Sequence, residues 1–441
     1  MTKSKADTQH SLTKEQKQAV GLLSIGTFLE YFDLMLFVHL SVLLNELFFP
    51  KTDPYIKSLI TAAAFCSTYV MRPFGAIIFG WIGDNLGRKT TLIITTFMMS
   101  ISCIIMSILP TYAQVGITAS ILVTLCRIIQ GMSSMGEIVG AQLYLTEFIP
   151  VPLRYPAVAT IALAASVGAF GALGVASLVL TNPSLSWRYA FAIGAFVATI
   201  GWSARNSLRE TPEFIDAKQR YKNILSKLDL PTQVNTNKKF KIKTLYKTSL
   251  SLFALDCMWP VCFYFTYIYC AEILQNVFKY SVQEIIFNNL IVSVFQIFMD
   301  LTFIILCTKI HPLKILQVKV IIIGALFLIF PFWIDYASCG FHIMVFQSLV
   351  VFFAPDAHNG VSSLYTHFHT LKRFTYASFL YALSRAIVYI MTSFGFIYLQ
   401  LYWGNMGVSM FVLTMVGFYL CGREHFVSLE KTLGNNYPLV K

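Results

Sequence analysis

Residues 72–91 read RPFGAIIFGWIGDNLGRKTT and contain the sharpest change of composition in the chain. The apolar, small-residue run 74–80 gives way to the polar segment 83–89, and a second apolar run follows. Apolar runs of this kind are typical of membrane helices, and positive charge directly beyond them marks the cytoplasmic side. The stretch therefore predicts two membrane helices joined by a tight cytoplasmic turn that contains Arg88 and Lys89.

The composition of the whole chain favours a membrane protein. Of its 441 residues, 56% are hydrophobic and 12% are charged, with a mean hydropathy of +0.65. Soluble domains average about 25% charged residues, so an aqueous multidomain enzyme does not fit. The net charge of +12 comes from basic residues that lie between apolar runs and form no patch with interleaved aromatic residues. We therefore expect a lipid bilayer around the chain and no nucleic-acid partner.

The sequence gives no indication of a metal, a cofactor or a catalytic centre. The nine Cys residues lie mostly inside apolar runs, and no two have C-x-x-C spacing. No two His residues stand four apart, and the G-x-S-x-G, H-E-x-x-H and P-loop patterns are absent from the sequence. The expectation is a protein that is not an enzyme, has no catalytic residues and binds neither a metal nor a cofactor.

Twelve apolar runs predict an all-α integral membrane protein. They are 19–44, 56–82, 91–109, 116–145, 157–180, 189–204, 248–274, 285–308, 316–336, 341–365, 376–401 and 406–421. Each has about the length that a tilted membrane helix needs, ~20 residues. The long basic segment after the sixth run divides the chain into two six-helix halves.

Positive charge predicts the orientation and the domain boundaries. With the N-terminus in the cytoplasm, most of the 33 Lys and Arg residues fall on the inside, and the outside loops hold Lys51, Lys57, Arg188 and Lys279. Both termini are therefore expected in the cytoplasm. The predicted domains are an N-terminal tail (1–18), a six-helix bundle (19–205), a basic cytoplasmic linker (206–247), a second six-helix bundle (248–421) and a C-terminal tail (422–441).

The turn after the second run matches the spacing G-x-x-G-D-x-x-G-R-[RK]. The matching residues are Gly80, Gly83, Asp84, Gly87, Arg88 and Lys89. This spacing resembles the loop signature of the major facilitator superfamily. Four further stretches, LEYFD at 29–33, RIIQG at 127–131, SWRYAF at 186–191 and LRETPEF at 208–214, narrow the resemblance to its metabolite:proton symporter branch. Within that branch the chain is most similar to the proline/betaine transporters.

The resemblance implies a secondary transporter with two pseudo-symmetric bundles and one central site that faces each side of the membrane in turn. A proton gradient would drive uptake of a small zwitterionic osmolyte or amino acid, with no other cofactor. The implied form is a monomer in a bacterial inner membrane. Two alternatives stay open, namely a proton symporter of a small organic acid and a permease-derived receptor that binds a metabolite without moving it.

The resemblance covers about the first 215 residues and is weak in the second half. Asn85 stands where the family usually has a basic residue. A second copy of the signature would fall at 307–314, where the acid and the glycines are missing. We therefore expect a conformational latch on one side only. It consists of Gly80, Gly83, Asp84, Gly87, Arg88 and Lys89.

Ionisable residues within the predicted spans of the first half are candidates for proton coupling or substrate binding. Such a residue costs ~2.5–3.5 kcal/mol at the membrane centre and usually faces a cavity or a partner. Glu30 and Asp33 share one helix face and suit a group that takes up and releases a proton, unless an Arg holds one of them permanently. The resemblance ties Arg127 to coupling, with a purely structural role as the alternative. Glu137 is expected to pair with Arg72.

The second half offers fewer candidates. The residues predicted at its side of the cavity are Asp256, Trp259, Asp300, Asp356 and Arg385. The aromatic residues Trp259, Phe263, Tyr264 and Tyr267 provide a candidate cation–π wall for a quaternary ammonium group such as that of betaine. The alternative for these aromatic residues is ordinary helix packing.

Overall fold

The chain is built from long helices in a computed structural model that describes residues 11–50, 68–182, 186–206, 208–226, 238–433 and 437–440. The principal helices are α1 (Lys14–His39), α2 (Arg72–Asn85), α3 (Arg88–Ile108), α4 (Ile117–Phe148), α5 (Arg154–Thr181), α6 (Trp187–Arg205), α7 (Lys238–Tyr264), α8 (Val282–Leu306), α9 (Pro312–Asp335), α10 (Gly340–Phe353) and α11 (Arg373–Thr432). We call α1–α6 the N-terminal half and α7–α11 the C-terminal half.

Within the described ranges, nine helices are long and apolar enough to cross a membrane. The last of them contains two of the predicted spans, because Gly404 interrupts α11 with a non-helical backbone (φ 57°, ψ −150°) that favours glycine. The shorter helices α2 and α6 occupy the places of the second and sixth predicted spans. The described helices therefore agree with the predicted all-α fold of twelve spans.

Several helix bounds differ from the apolar runs. Helix α11 continues to Thr432, beyond the predicted end at 421, because Phe426 and Val427 keep an apolar face buried against the bundle. The predicted linker contains a helix, Pro212–Ser226, and its end already belongs to α7. Residues 1–10 of the predicted tail, 56–67 of the second span, and 207 and 227–237 of the linker lie outside the described residues.

Two helices of the C-terminal half are irregular for identifiable reasons. Pro260 lies inside α7, and a π-helical turn, Phe265–Tyr269, follows it. Proline and π-turns bend membrane helices and often occur at functional sites. Helix α10 ends two residues before Pro355, and the Asp356 side chain then accepts a hydrogen bond from the backbone N–H of His358 (3.0 Å) to start a short 3-10 helix. Both irregular segments face the interior of the molecule.

The two halves meet along two helix pairs, α2 with α11 and α5 with α8. Close approach inside the N-terminal half depends on small residues. A Cβ on Gly75 would lie 2.5 Å from the backbone oxygen of Met132, and one on Gly131 would lie 2.5 Å from that of Thr68. These contacts hold α2 and the residues before it tightly against α4. The end of the molecule that holds the α2–α3 turn is called the basic end below.

Candidate functional site

A narrow, partly open cavity lies between the two halves. The N-terminal half contributes residues of α1, α2 and α5, and the C-terminal half contributes residues of α7, α8 and α11. Its aromatic lining residues are Tyr31, Tyr69, Trp259, Phe263, Tyr267, Tyr381 and Tyr389. Arg72 and Arg385 line it from opposite halves. The cavity is therefore apolar and aromatic, with two cationic groups at fixed places.

Arg72 lines this cavity and keeps unsatisfied donors. It stands at the start of α2, is 2% exposed, and its guanidinium carbon lies 4.6 Å from the centre of the Tyr69 ring. Its Nε and Nη2 atoms have no hydrogen-bond partner among the described residues. Buried donors without acceptors are rare and costly. A guanidinium in this state can bind a carboxylate through two parallel hydrogen bonds.

Arg385 is held more firmly. Its Nη1 donates to the backbone oxygen of Asp256 (2.7 Å) and to Oγ of Ser384 (3.2 Å), and the Asp256 carboxylate lies 3.9 Å away. The guanidinium carbon is 4.0 Å from the centre of the Tyr381 ring. These contacts fix Arg385 as a positioned charge on the wall of the cavity.

Hydrogen bonds between the halves close the molecule on the basic side of the cavity. The Tyr31 and Tyr381 hydroxyls are 3.4 Å apart. Nε2 of Gln142 donates to the backbone oxygen of His358 (3.1 Å), and Oε1 of Gln142 lies 2.9 Å from Nδ1 of the same residue. Because α4 runs toward the basic end, the Gln142–His358 pair lies between the cavity and that end.

Glu30 and Asp33 lie behind the cavity wall and not on it. Glu30 is 1% exposed, and the nearest donor to its carboxylate is the backbone N–H of Ile138, which makes no hydrogen bond of good geometry with it. The positive charge of Arg72 stabilises the ionised form of Glu30, and the negative charge of Glu137 destabilises it. Asp33 accepts a hydrogen bond from Sγ of Cys103 (3.3 Å), and its cationic neighbour is Arg127. Each carboxylate thus faces a different arginine.

Arg127 is partly satisfied within its own helix. Its Nη1 donates to Oε1 of Gln130 (2.9 Å), and the guanidinium carbon lies 3.9 Å from the centre of the Phe37 ring. Its Nε has no hydrogen-bond partner among the described residues. Arg127 is absent from the cavity lining, but it interacts electrostatically with the lining residues Tyr69 and Arg72 as well as with Asp33.

The partner predicted for Glu137 was wrong. Glu137 pairs with Arg205 and not with Arg72, and it also accepts hydrogen bonds from Thr95 (2.8 Å) and Thr96 (2.7 Å). Arg205 ends α6, and its side chain is fully buried inside the bundle. A helix end that reaches into the bundle satisfies this carboxylate completely, so the pair has the properties of a structural ion pair.

Asp84 joins the two halves at the basic end. Its carboxylate accepts hydrogen bonds from the backbone N–H of Phe374 (3.1 Å), the backbone N–H of Thr375 (2.9 Å) and the hydroxyl of Thr375 (2.7 Å). These donors belong to the first turn of α11, where the helix dipole favours negative charge. A carboxylate of the N-terminal half therefore stabilises the start of a helix in the C-terminal half.

Arg88 makes the second connection. Its guanidinium donates twice to Glu147 (2.9 and 3.1 Å), to the backbone oxygen of Gly83 (2.6 Å) and to that of Thr370 (2.6 Å). Arg373 in turn donates to Glu147 (3.1 Å) and to Glu213 (2.9 Å). The network thus links α2, α3, α4, the helix Pro212–Ser226 and the start of α11.

The glycines of the turn permit this close approach. A Cβ on Gly80 would lie 2.7 Å from Cα of Thr375, and one on Gly83 would lie 2.5 Å from the Phe374 ring. Gly87 has φ of 124°, which L-residues rarely adopt. Helix α3 begins directly after Gly87. The Glu210 carboxylate accepts hydrogen bonds from the first two backbone N–H groups of this helix, those of Arg88 (3.0 Å) and Lys89 (3.2 Å).

The remaining member of the predicted latch, Lys89, lies outside the network. Its Nζ donates to the backbone oxygen of Asn206 (3.1 Å) in an exposed contact. The other five residues of the motif meet the C-terminal half or shape the turn that does so. The arrangement is the one that a latch between the halves requires.

Three of the five residues predicted at the C-terminal side of the cavity do not line it. Trp259 and Arg385 are on its wall, whereas Asp256, Asp300 and Asp356 are buried elsewhere. Asp256 lies behind Arg385, and Asp356 caps a short helix. In the described part of the chain, no group of His, Cys, Asp and Glu side chains has an arrangement that could hold a metal ion.

Sequence reasoning missed several residues of the site. They are Gln142, Glu147, Arg205, Glu210, Glu213, His358 and Arg373. Glu210 and Glu213 belong to the LRETPEF stretch, which was used only as a sign of resemblance. Glu147 stands at the end of an apolar run, where a polar residue is expected anyway, so its position alone did not reveal two arginine partners.

Replacement of Asp84 by Asn is expected to slow transport while substrate binding persists. An amide lacks the charge and one acceptor oxygen, and a hydrogen bond to a charged group is worth about 1.5–3 kcal/mol. The closed basic end should therefore lose stability. Substrate binding by calorimetry and exchange flux in proteoliposomes measure the two effects. Asn85→Ala is the control, because the exposed Asn85 side chain donates to the backbone oxygen of Trp81 in its own helix. Normal flux in the Asp84 variant would show that this contact is not a latch.

Comparisons with known proteins agree with this architecture. The model of the family described as "Sugar (and other) transporter" matches residues 19–277. The "Putative proline/betaine transporter" of Staphylococcus aureus (strain COL) is 28% identical over 97% of this chain and 92% of its own length. The inner membrane metabolite transport protein YhjE of Escherichia coli (strain K12) is 38% identical over 43% of this chain and 45% of its own.

Two solved structures share the fold. The proton:xylose symporter XylE bound to 6-bromo-6-deoxy-D-glucose superposes with a TM-score of 0.69 at 16% identity and covers 97% of this chain and 96% of its own. The human organic anion transporter MFSD10 superposes with a TM-score of 0.67 at 15% identity and covers 94% of this chain and 100% of its own. This chain therefore belongs to the sugar (and other) transporter family of the major facilitator superfamily, as a multi-pass membrane transporter and not an enzyme.

Proposed function

We propose that this protein is a proton-coupled symporter of a small zwitterionic osmolyte or amino acid. The observation that carries the proposal is the cavity between the halves, which sets the unsatisfied guanidinium of Arg72 opposite an aromatic wall. The family supplies the transport mode, and relatives named as proline/betaine transporters support the substrate class. The membrane is a bacterial inner membrane, with both termini and the basic end in the cytoplasm.

The two ends of a zwitterion fit the two sides of the cavity. Its carboxylate would bind the guanidinium of Arg72 on the cavity wall. Its ammonium group would lie against Trp259, Phe263 and Tyr267, whose consecutive ring centres are 6.5 and 5.1 Å apart. Tyr264, expected in the same wall, packs against Phe396 instead. Because the guanidinium and the wall belong to different halves, one ligand would bridge both.

Glu30 offers a direct route from proton binding to substrate binding. Its carboxylate is buried without an ion-pair partner in direct contact among the described residues, and it shares the electrostatic influence of Arg72 with any anion in the cavity. A proton on Glu30 removes the competing negative charge, so that Arg72 can attract the substrate carboxylate fully. Loss of that proton restores the competition and favours release. Asp33 and Arg127 form a parallel pair one turn along α1.

Alternating access follows from the contacts between the halves. At the basic end, Asp84 and Arg88 hold the start of α11, and Gln142 and His358 close the passage below the cavity. The described conformation is therefore closed toward the cytoplasm. Rocking of one half against the other would break these contacts and open the cavity to the inside.

A small organic acid is the second candidate substrate, because the cavity holds two arginines. A dicarboxylate would place one carboxylate at Arg72 and the other near Arg385. A receptor that binds such a ligand without moving it has the same cavity and differs only in flux. The experiments below separate these cases.

Uptake into proteoliposomes with and without an inward proton gradient tests the proposed symport. We expect accumulation only with the gradient, and competition by proline or betaine rather than by dicarboxylates. The Glu30→Gln/Asp33→Asn double variant should bind substrate but lose gradient-driven accumulation, since neither side chain can then carry a proton. Accumulation that ignores the gradient, or a double variant that accumulates normally, contradicts proton coupling. Saturable binding with no flux identifies a receptor.

Replacement of Arg72 by Gln should weaken substrate binding about 10- to 100-fold. A hydrogen bond to a charged group contributes about 1.5–3 kcal/mol, and each 1.4 kcal/mol is about tenfold in Kd. Isothermal titration of the purified protein measures this change. Arg209→Gln is the matched control, because Arg209 is exposed and pairs only with exposed Glu15. Unchanged affinity in the Arg72 variant would exclude it as the carboxylate site.

Replacement of Trp259 by Leu distinguishes a zwitterion from a dicarboxylate. The lost cation–π interaction is worth about 0.5–2 kcal/mol, so betaine should bind about 2- to 30-fold more weakly. A dicarboxylate carries no cation and should be affected little. Competition binding with both ligands gives the ratio. Trp403→Leu, at an exposed tryptophan outside the cavity lining, serves as the control. Equal losses for both ligands would point to altered packing and against the aromatic wall as an ammonium site.

A further inference from the structure

A chain of hydrogen bonds leads from the cavity to a buried carboxylate. The Tyr267 hydroxyl donates to Oε1 of Gln296 (3.1 Å), and Nε2 of Gln296 donates to Oγ of Ser166 (2.9 Å). Ser166 then donates to Oδ2 of Asp300 (2.5 Å). Tyr267 and Gln296 line the cavity, whereas Asp300 is 1% exposed and does not. The polar wall of the cavity is therefore connected to an acid that the ligand cannot touch.

Every bond in this chain is donated toward Asp300. Asn359 adds a further bond, from Nδ2 to Oδ1 of Asp300 (3.1 Å). Hydrogen bonds donated to both oxygens stabilise the ionised form of a carboxylate. The described conformation thus favours the charged form of Asp300 through donors from two separate elements, α5 and the short helix Ala357–Gly360.

The charged surroundings of Asp300 are mixed. The positive charge of Lys319 stabilises the ionised form of Asp300, and the negative charge of Asp356 destabilises it. Asp300 in turn interacts electrostatically with Tyr267. The ammonium group of Lys319 is buried and has no hydrogen-bond partner among the described residues. Burial disfavours a charged carboxylate, so the donated hydrogen bonds are needed to stabilise the charge of Asp300.

The chain crosses between the two halves. Ser166 belongs to α5, while Gln296 and Asp300 lie one turn apart on α8. The α5–α8 pair is one of the two helix pairs along which the halves meet. The Ser166–Asp300 bond must therefore break or change when the halves rock against each other.

We propose that Asp300 is a second proton-binding carboxylate, and that the chain from Tyr267 makes its protonation depend on the occupant of the cavity. This inference rests on the proposed symport. A ligand that binds Tyr267 or Gln296 turns the Gln296 amide away from Ser166, and the Ser166 hydroxyl then loses its fixed orientation toward Asp300. The carboxylate loses a charge-assisted bond and binds a proton from the water that enters between α5 and α8.

The proton in turn weakens the contact between the halves. Protonated Asp300 keeps one acceptor oxygen and gains a hydroxyl, so Ser166 and Asn359 can no longer both donate as they do now. The balance is one proton gained by one carboxylate, with no other bond made or broken. The Gln296 amide does not carry the proton. It only couples the orientation of the Tyr267 hydroxyl to that of the Ser166 hydroxyl. Substrate binding and proton binding would both favour separation of α5 from α8.

The Asp300→Asn variant tests this site, because an amide imitates the neutral form of the acid. Counterflow exchange of substrate should continue, whereas gradient-driven accumulation should fall about tenfold or more, a typical size for coupling between sites. Proton uptake on substrate addition, measured with a pH indicator in weakly buffered detergent solution, should be smaller per bound substrate than in the wild type. Asp335→Asn is the matched control, since Asp335 is an exposed acid at the end of α9.

A pair of variants at Ser166 provides the second test and does not remove the carboxylate. Ser166→Ala breaks the chain and should lower substrate-induced proton uptake, and Ser166→Thr should restore it because the hydroxyl returns. Should the Asp300 variant not fold, these two variants decide the question. Equal proton uptake in the Ala and Thr variants would overturn the proposal.

The outcomes separate this inference from the proposed function. Wild-type protein that accumulates substrate with the gradient, together with an Asp300→Asn variant that does the same, overturns the role of Asp300 and leaves the symport intact. Wild-type protein that ignores the gradient and takes up no protons with substrate overturns both. If proton uptake is lost in a Glu30→Gln variant but kept in the Asp300→Asn variant, coupling is restricted to the N-terminal half.

Discussion

The closed molecule depends on one interaction, the acceptance of three hydrogen bonds by Asp84 at the start of α11. A charged acceptor at a helix N-terminus gains both from the bonds and from the helix dipole. Asp84 can reach these donors because Gly80 and Gly83 let the backbones of α2 and α11 approach closely. Arg88 then fills the remaining space between Glu147 and Thr370, and the basic end is sealed.

The cavity exists because the basic end is sealed. In the closed molecule Gln142 contacts His358, and Tyr31 contacts Tyr381. These pairs close the cavity on its basic side, next to its aromatic lining residues. Arg72 belongs to the same helix as Asp84, so the helix that closes the basic end also presents the guanidinium at the cavity. Movement of α2 relative to α11 would change the closed side of the cavity and the position of the Arg72 guanidinium together. This shared helix connects closure to substrate binding.

The buried charges divide into two kinds according to how well they are satisfied. Glu137 has Arg205, Thr95 and Thr96 around it, and such a complete set of partners gives a stable part of the scaffold. Arg72 keeps unpaired donors, a costly state inside a protein unless another group binds there. Asp300 is intermediate, since its partners come from both halves. We assign function to Arg72 and Asp300 because they line the cavity or connect to it, and not to Arg205, whose Nε and Nη2 also lack partners among the described residues.

The sequence by itself determined the membrane class, the helical fold and the α2–α3 turn, because apolar run length, charge placement and the glycine spacing of residues 80–88 are local properties. It also predicted Arg72, Trp259 and Arg385 as candidates, and these residues line the cavity. It could not reveal that Glu137 pairs with Arg205, that Asp84 binds the start of α11, or that Asp300 connects to the cavity through Ser166. Those pairings join residues 68 to 291 positions apart in the chain. Only the packing of helices decides which distant side chains meet, since many pairings satisfy the same pattern of charges.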